Sequence, residues 1–148
     1  MIDLLPYNEL VFILNLVLCA VLGFFIGFER ETRHKDAGIS THTLVIMGSM
    51  LFTFLSGLVD PLSTSRIASQ IVVGIGFLGG GLILKEGTVV RNLTTAASLW
   101  FAAAIGMALG YGYYLIAIAS ALMCIFIPRI PHITEKFADI EKKGPESV

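Results

Sequence analysis

The sequence predicts an all-α membrane protein, a bundle of five transmembrane helices with its N-terminus outside and its C-terminus inside. Three observations carry that prediction. The first is composition: of 148 residues, 55% are hydrophobic and 14% charged, with a mean hydropathy of +0.83, too apolar and too evenly so for a soluble domain of this size. The second is segmentation into five apolar runs of spanning character. The third is the placement of the Lys and Arg residues. With five spans, Arg30, Arg33, Lys35, Lys85, Arg91, Arg129, Lys136, Lys142 and Lys143 share one side, and only Arg66 lies on the other. Positive residues accumulate in cytoplasmic loops, so this asymmetry sets the orientation. A four-span arrangement would strand the C-terminal basic residues on the wrong side.

Span one covers residues 9–28, about 30 Å of helix, and ends in Glu29-Arg30-Glu31-Thr32-Arg33-His34-Lys35-Asp36. The stretch MIDLLPYNEL before it lacks the basic n-region of a signal peptide, so span one is expected to be retained. Spans two to five are read at 43–59, 67–84, 93–109 and 113–127. Gly110-Tyr111-Gly112 is the only punctuation between the last two, which predicts a tight helical hairpin. Tyr111, Tyr113 and Tyr114 then fall in the outer aromatic belt. The membrane domain is residues 1–131. In the remaining tail, 132–148, Ile133, Phe137 and Ile140 recur at helical spacing, which predicts a short amphipathic helix on the inner membrane surface.

At about 100° per residue, each of three spans has a small or polar side and a bulky side. On span one Asn15, Cys19, Glu29 and Arg33 align beside Gly23 and Gly27, with Val17, Val21, Phe24 and Phe28 opposite. On span two His42, Ser49, Thr53, Ser56 and Asp60 form a hydroxyl stripe with an imidazole at one end and a carboxylate at the other. On span four Arg91, Thr95, Ser98, Ala102 and Gly106 share a face, with Trp100 and Phe101 turned away. Cys19 and Cys124 lie in apolar runs and read as packing residues.

Span three is the stretch around which the rest is expected to pack. Gln70, Gly74 and Gly81 fall on one side of a helix, and Gly76, Gly79 and Gly80 on the other, so both faces are smooth and admit close neighbours. Gly74 to Gly79 is formally G-x-G-x-x-G, but a dinucleotide fold needs a strand before it and an acidic residue after the following helix. Here the motif sits inside a membrane-length apolar run. The flanking residues keep a coherent small face through Gly79-Gly80-Gly81, which predicts a continuous helix. An unwound run would instead free carbonyls to face a cation.

Several blocks in order carry a family resemblance: Gly27-Phe28-Glu29-Arg30-Glu31, Ala37-Gly38-Ile39-Ser40-Thr41-His42, the run Arg66 to Gly81, Val90-Arg91-Asn92-Leu93-Thr94-Thr95-Ala96-Ala97, and Trp100 with Ala103-Ala104-Ile105-Gly106. Over roughly Gly23 to Gly110 the chain resembles the transmembrane domain of the MgtC/SapB family, without the soluble C-terminal domain of that family's virulence branch. Asn92 stands where the family usually has Gly, and Gly79-Gly80-Gly81 where it has Gly-Ala-Gly. The resemblance implies a bacterial inner-membrane protein tied to growth under magnesium limitation and, in its best-known branch, to survival inside macrophages. It further implies a partner such as the membrane sector of the F-type ATP synthase.

The candidate functional or packing cluster is Glu29, Arg30, Arg33, His42, Asp60, Arg66, Gln70, Arg91, Thr94 and Thr95. Glu29, Arg30 and Arg33 match the family's charged motif, and read either as interfacial anchors or as a binding or gating cluster with Arg91 and Lys85. Asp60 and Arg66 are expected to pair across the outer loop. Gln70 must find a partner or line water, so it is structural glue or a solute contact. The helix-packing glycines are Gly23, Gly27, Gly74, Gly76, Gly79, Gly80, Gly81, Gly106 and Gly110. More close-packing faces than one bundle requires predict a homo-oligomer.

Chemistry is expected to be absent. No nucleophile elbow or H-E-x-x-H occurs, no acid pair lies at membrane depth, and His34 and His42 lack partner ligands. No catalytic residue, metal site or cofactor is therefore assigned, and nothing suggests nucleic acid. The partners expected are the lipid bilayer, further copies of the chain and another membrane protein. Two functions remain: a non-enzymatic regulator acting through helix contacts, and a conduit or transporter for a small solute or Mg²⁺.

Overall fold

The computed structural model of the chain describes residues 5–59, 61–87 and 89–130. It is an all-α membrane protein of five helices: α1 (Leu5–Thr32), α2 (Ile39–Val59), α3 (Arg66–Leu82), α4 (Leu93–Gly110) and α5 (Tyr114–Phe126), the last continued by a single 3-10 turn at Ile127–Arg129. Asp60 and the tail expected to be amphipathic lie outside the described residues. Three helices, α1, α2 and α4, are long and apolar enough to cross a bilayer. At 17 and 13 residues, α3 and α5 are shorter than the roughly 20 that a perpendicular span needs.

The helices alternate in direction. Arg33 donates to the Pro128 carbonyl, and Asn92 Nδ2 donates both to the Asp36 carboxylate and to Leu82 O. The C-terminal ends of α1, α3 and α5 thus meet the N-terminal ends of α2 and α4. At the other end the Tyr111 hydroxyl and Ser56 Oγ both donate to Thr64 O, at 3.1 and 2.6 Å.

Helix α4 packs chiefly on α2 and also touches α3 and α5, while α1 packs on α2. The reason lies in the faces. His42, Ser49, Thr53 and Ser56 of α2 are buried, as are Thr95, Ser98, Ala102 and Gly106 of α4 and Asn15, Cys19, Gly23 and Gly27 of α1. Val17, Val21, Phe24, Phe28 and Trp100 are exposed on the outside of the bundle. A Cβ added at Gly106 would collide with Ile46 O, and one at Gly110 would lie 2.6 Å from Thr53 Cβ. Added at Gly23 or Gly27, it would collide with the α2 backbone at Thr43 or Ile39. Without a hydrophobic force between helices in lipid, such backbone contact supplies the attraction.

The expectation that the bundle is centred on span three is corrected. Only Ala68, Ile75 and Gly79 of α3 are buried, and around Gly74, Gly76, Gly80 and Gly81 an added Cβ would meet nothing within 4 Å. Smooth faces alone do not draw a helix inward. The interior goes to α2 and α4, which offer small residues together with hydroxyls able to pair across the seam, whereas the polar Gln70 of α3 is exposed. The glycine run is helical to Leu82, closed by Ile83 N–H to Gly80 O at 3.3 Å.

A feature unforeseen from the sequence follows: an antiparallel hairpin of β1 (Leu84–Glu86) and β2 (Val89–Arg91), pairing Leu84 with Arg91, Lys85 with Val90 and Glu86 with Val89. Gly87 takes φ +61° at its turn. Asn92 follows at φ +64°, a left-handed conformation that Gly adopts freely and Asn tolerates. The resemblance implied Gly at this position, and Asn is among the few other residues such a backbone admits.

Candidate functional site

The first half of the charged segment after the first apolar run stays in the helix. α1 continues to Thr32, where His34 at φ +54° stops it. His34 N–H then bonds Glu31 O at 2.9 Å and Lys35 N–H bonds Arg30 O at 3.1 Å, the double closure of a Schellman end. Glu31 Oε1 accepts from Ile39 N–H at 2.9 Å, satisfying one free donor at the start of α2.

This extension carries two charges into the bundle. Glu29 is 3% exposed and Arg30 fully buried. Arg30 Nε donates to Glu29 Oε2 at 2.5 Å, and its Nη2 lies against the same oxygen. Glu29 Oε1 faces Arg33 and Arg129, each at 3.6 Å, and accepts no hydrogen bond among the described residues. Arg30 Nη1 and Nη2 likewise have no hydrogen-bond partner there. Removing a buried charge from water is costly unless it is paired, so Glu29 and Arg30 each depend on the other for compensation.

A second polar group is built by α2 and α4. His42 Nδ1 lies 3.0 Å from Gly38 O; a carbonyl only accepts, so Nδ1 carries a proton. Nε2 lies 3.1 Å from Ser98 Oγ, which is also 2.8 Å from Thr95 O. Ser98 has one proton to give. Neutral His42 accepts it, whereas if Ser98 donates to Thr95 O, Nε2 must itself donate. Three further buried hydroxyls have no hydrogen-bond partner among the described residues: Thr53 of α2, beside Gly110 of α4, Thr95 one turn before Ser98, and Thr43, which faces Gly23 of α1. Asn15 Nδ2 donates to Leu109 O at 3.4 Å.

The structure thus brings Glu29, Arg30, Arg33, His42 and Thr95 to one end of the bundle. Arg91 is exposed on β2, and Thr94 is exposed beside the buried Thr95. Arg66 stands at the opposite end, at the start of α3. Gln70 lies on a groove of about 690 Å³ between α2 and α3, with Thr41, Gly48, Ser49 and Gly74 among its walls. Sequence reading left Arg129 and Ser98 out of the cluster. Ser98 was legible through its place on the α4 polar face; Arg129 carried no such signal. Among the described residues no three His, Cys, Asp or Glu side chains converge as a metal site would require, and Cys19 and Cys124 are free and buried.

Known proteins with similar sequences cover most of this architecture. A sequence model described as the MgtC family matches residues 16–137. "Protein MgtC" of Salmonella typhimurium is 46% identical over 114 residues, 77% of this chain and 49% of its own length. "Putative magnesium transporter YhiD" of Escherichia coli K12 is 43% identical over 130 residues, 82% of this chain and 60% of its own. "Uncharacterized protein slr0014" of Synechocystis is 46% identical over 114 residues, 76% and 49% of the two chains. The chain therefore spans about half the length of the curated relatives it matches. No solved structure gives a significant match.

Proposed function

The chain belongs to the MgtC family, and from that premise we propose that it is a non-enzymatic protein of the bacterial inner membrane that supports growth under magnesium limitation through contacts with other membrane proteins. The orientation that goes with this reading is N-terminus outside and C-terminus cytoplasmic, with five spans and with copies of the chain associated. One observation carries the choice of contact over conduit. Polar residues of α1, α2 and α4 are buried inside the bundle, while four of the five α3 glycines, Gly74, Gly76, Gly80 and Gly81, have open space where a side chain would stand. An open small-residue face is the kind through which membrane helices associate. The ATP synthase membrane sector is one partner the family resemblance offers.

The reading is tested by complementing a deletion strain in magnesium-limited medium. Wild type restores growth, the double variant Gly76→Leu/Gly80→Leu fails to, and crosslinking to a membrane partner is lost in parallel. Magnesium flux through purified protein in liposomes would replace regulation by transport. That second reading is favoured by the hydroxyls of Thr43, Thr53 and Thr95, which have no hydrogen-bond partner among the described residues, since such buried polar groups take up water or solute, and by the name of the Escherichia coli relative.

A further inference from the structure

The carboxylate of Glu29 is met by more positive charge than it neutralises. Arg30 pairs with one of its oxygens, and Arg33 and Arg129 stand 3.6 Å from the other. Among the described residues, three guanidiniums face this one carboxylate, an excess of two positive charges at one point of the bundle's end. The neighbouring carboxylates of Glu31 and Asp36 accept from the neutral donors Ile39 N–H and Asn92 Nδ2, and among the described residues neither pairs with these guanidiniums. Arg30 is fully buried, and neither of its Nη atoms has a hydrogen-bond partner among the described residues, so its charge acts through protein rather than through water.

The other two guanidiniums face outward. The side chains of Arg33 and Arg129 are 41% and 56% exposed. A separation of 3.6 Å from Glu29 is longer than a hydrogen bond, which leaves donors on both for an acceptor from outside. Their positions are held: Arg33 by the Pro128 carbonyl and Arg129 by the Phe126 ring, 5.8 Å from the guanidinium carbon to the ring centroid. Planar guanidinium forks match phosphate oxygens in geometry and charge. The end of a membrane-crossing α1 also places them at the depth of lipid phosphates.

We propose that Arg33 and Arg129 form a phosphate site backed by the buried Arg30, for a phosphate whose charge is not cancelled by an attached ammonium, carried by an anionic phospholipid or free in solution. The test uses the full chain in nanodiscs of phosphatidylcholine, with or without phosphatidylglycerol, and in phosphatidylcholine nanodiscs titrated with inorganic phosphate. Retained lipid is counted by native mass spectrometry, and the unfolding midpoint is followed. Phosphatidylglycerol should be retained and raise the midpoint, each of Arg33→Gln and Arg129→Gln should weaken retention about tenfold, and Lys85→Gln on the hairpin should not. A midpoint rise with inorganic phosphate alone, lost in the same two variants, assigns the site to free phosphate; a rise only with phosphatidylglycerol assigns it to lipid. If the Gln variants lose their cooperative transition, Arg33→Lys and Arg129→Lys decide: they keep the charge but lose the fork, so weakened retention supports the site and unchanged retention overturns it. No response to either phosphate, or a response that persists in both Gln variants, also overturns it.

Discussion

The glycines of α1 and α4 and those of α3 recur at the same four-residue spacing and meet opposite surroundings. Gly23 and Gly27 lie on the backbone of α2, as do Gly106 and Gly110 from the other side, so closely that no side chain would fit. A Cβ added at Gly76 or Gly80 of α3 would meet nothing within 4 Å. The difference is set by the partner surface. Helix α2 buries hydroxyls and the imidazole of His42, which meets Ser98 of α4, and α1 and α4 supply the small residues that admit its backbone. A glycine spacing therefore states that a close approach is possible; the polar groups opposite decide where it happens.

Substitutions that break this contrast should separate widely. Glu29→Gln leaves the fully buried Arg30 without its carboxylate and should lower stability by about 3–5 kcal/mol, measured by denaturant unfolding in detergent. If the loss is that of a surface pair, the cluster is water-filled and the buried-charge argument fails. Gly106→Leu, aimed at Ile46 O, should cost about 3 kcal/mol or more and abolish a sharp thermal transition. Its counterpart on α3, Gly76→Leu, should leave monomer unfolding within about 0.5 kcal/mol of wild type. If the two variants behave alike, α3 is packed in a way the isolated chain does not show.

The finer test lies within the core. Ser98→Ala removes the partner of His42 Nε2 and should cost about 1–2 kcal/mol, whereas Gln70→Ala on the exposed side of α3 should change folding least of all. Equal effects from these two would mean that Gln70 has a buried partner, supplied by another copy or another protein. Measuring both in detergent and in nanodiscs distinguishes a contact within the chain from one the bilayer context adds.

Much of this architecture is written along the chain, because hydropathy and a 100° repeat are local properties. The five helices, the inward polar stripe of α2 with His42 at its end, and the outward Phe24 and Phe28 follow from residues a few turns apart, whereas the weight placed on Glu29, Arg30 and Arg33 rests on their match to the family's charged motif. The helical state of Gly79 to Gly81 belongs with the former, since it rests on the continuity of one face. Other features exist only once helices meet. Arg129 reaches Glu29, Arg33 reaches Pro128 across 95 positions, and Ser98 reaches His42 across 56; nothing in the local pattern marks such pairs. The edge position of α3 was likewise decided in space. Its two smooth faces are real in sequence, but burial in a bilayer is a competition among all five helices for polar partners and backbone contact, and the outcome depends on what the other four present.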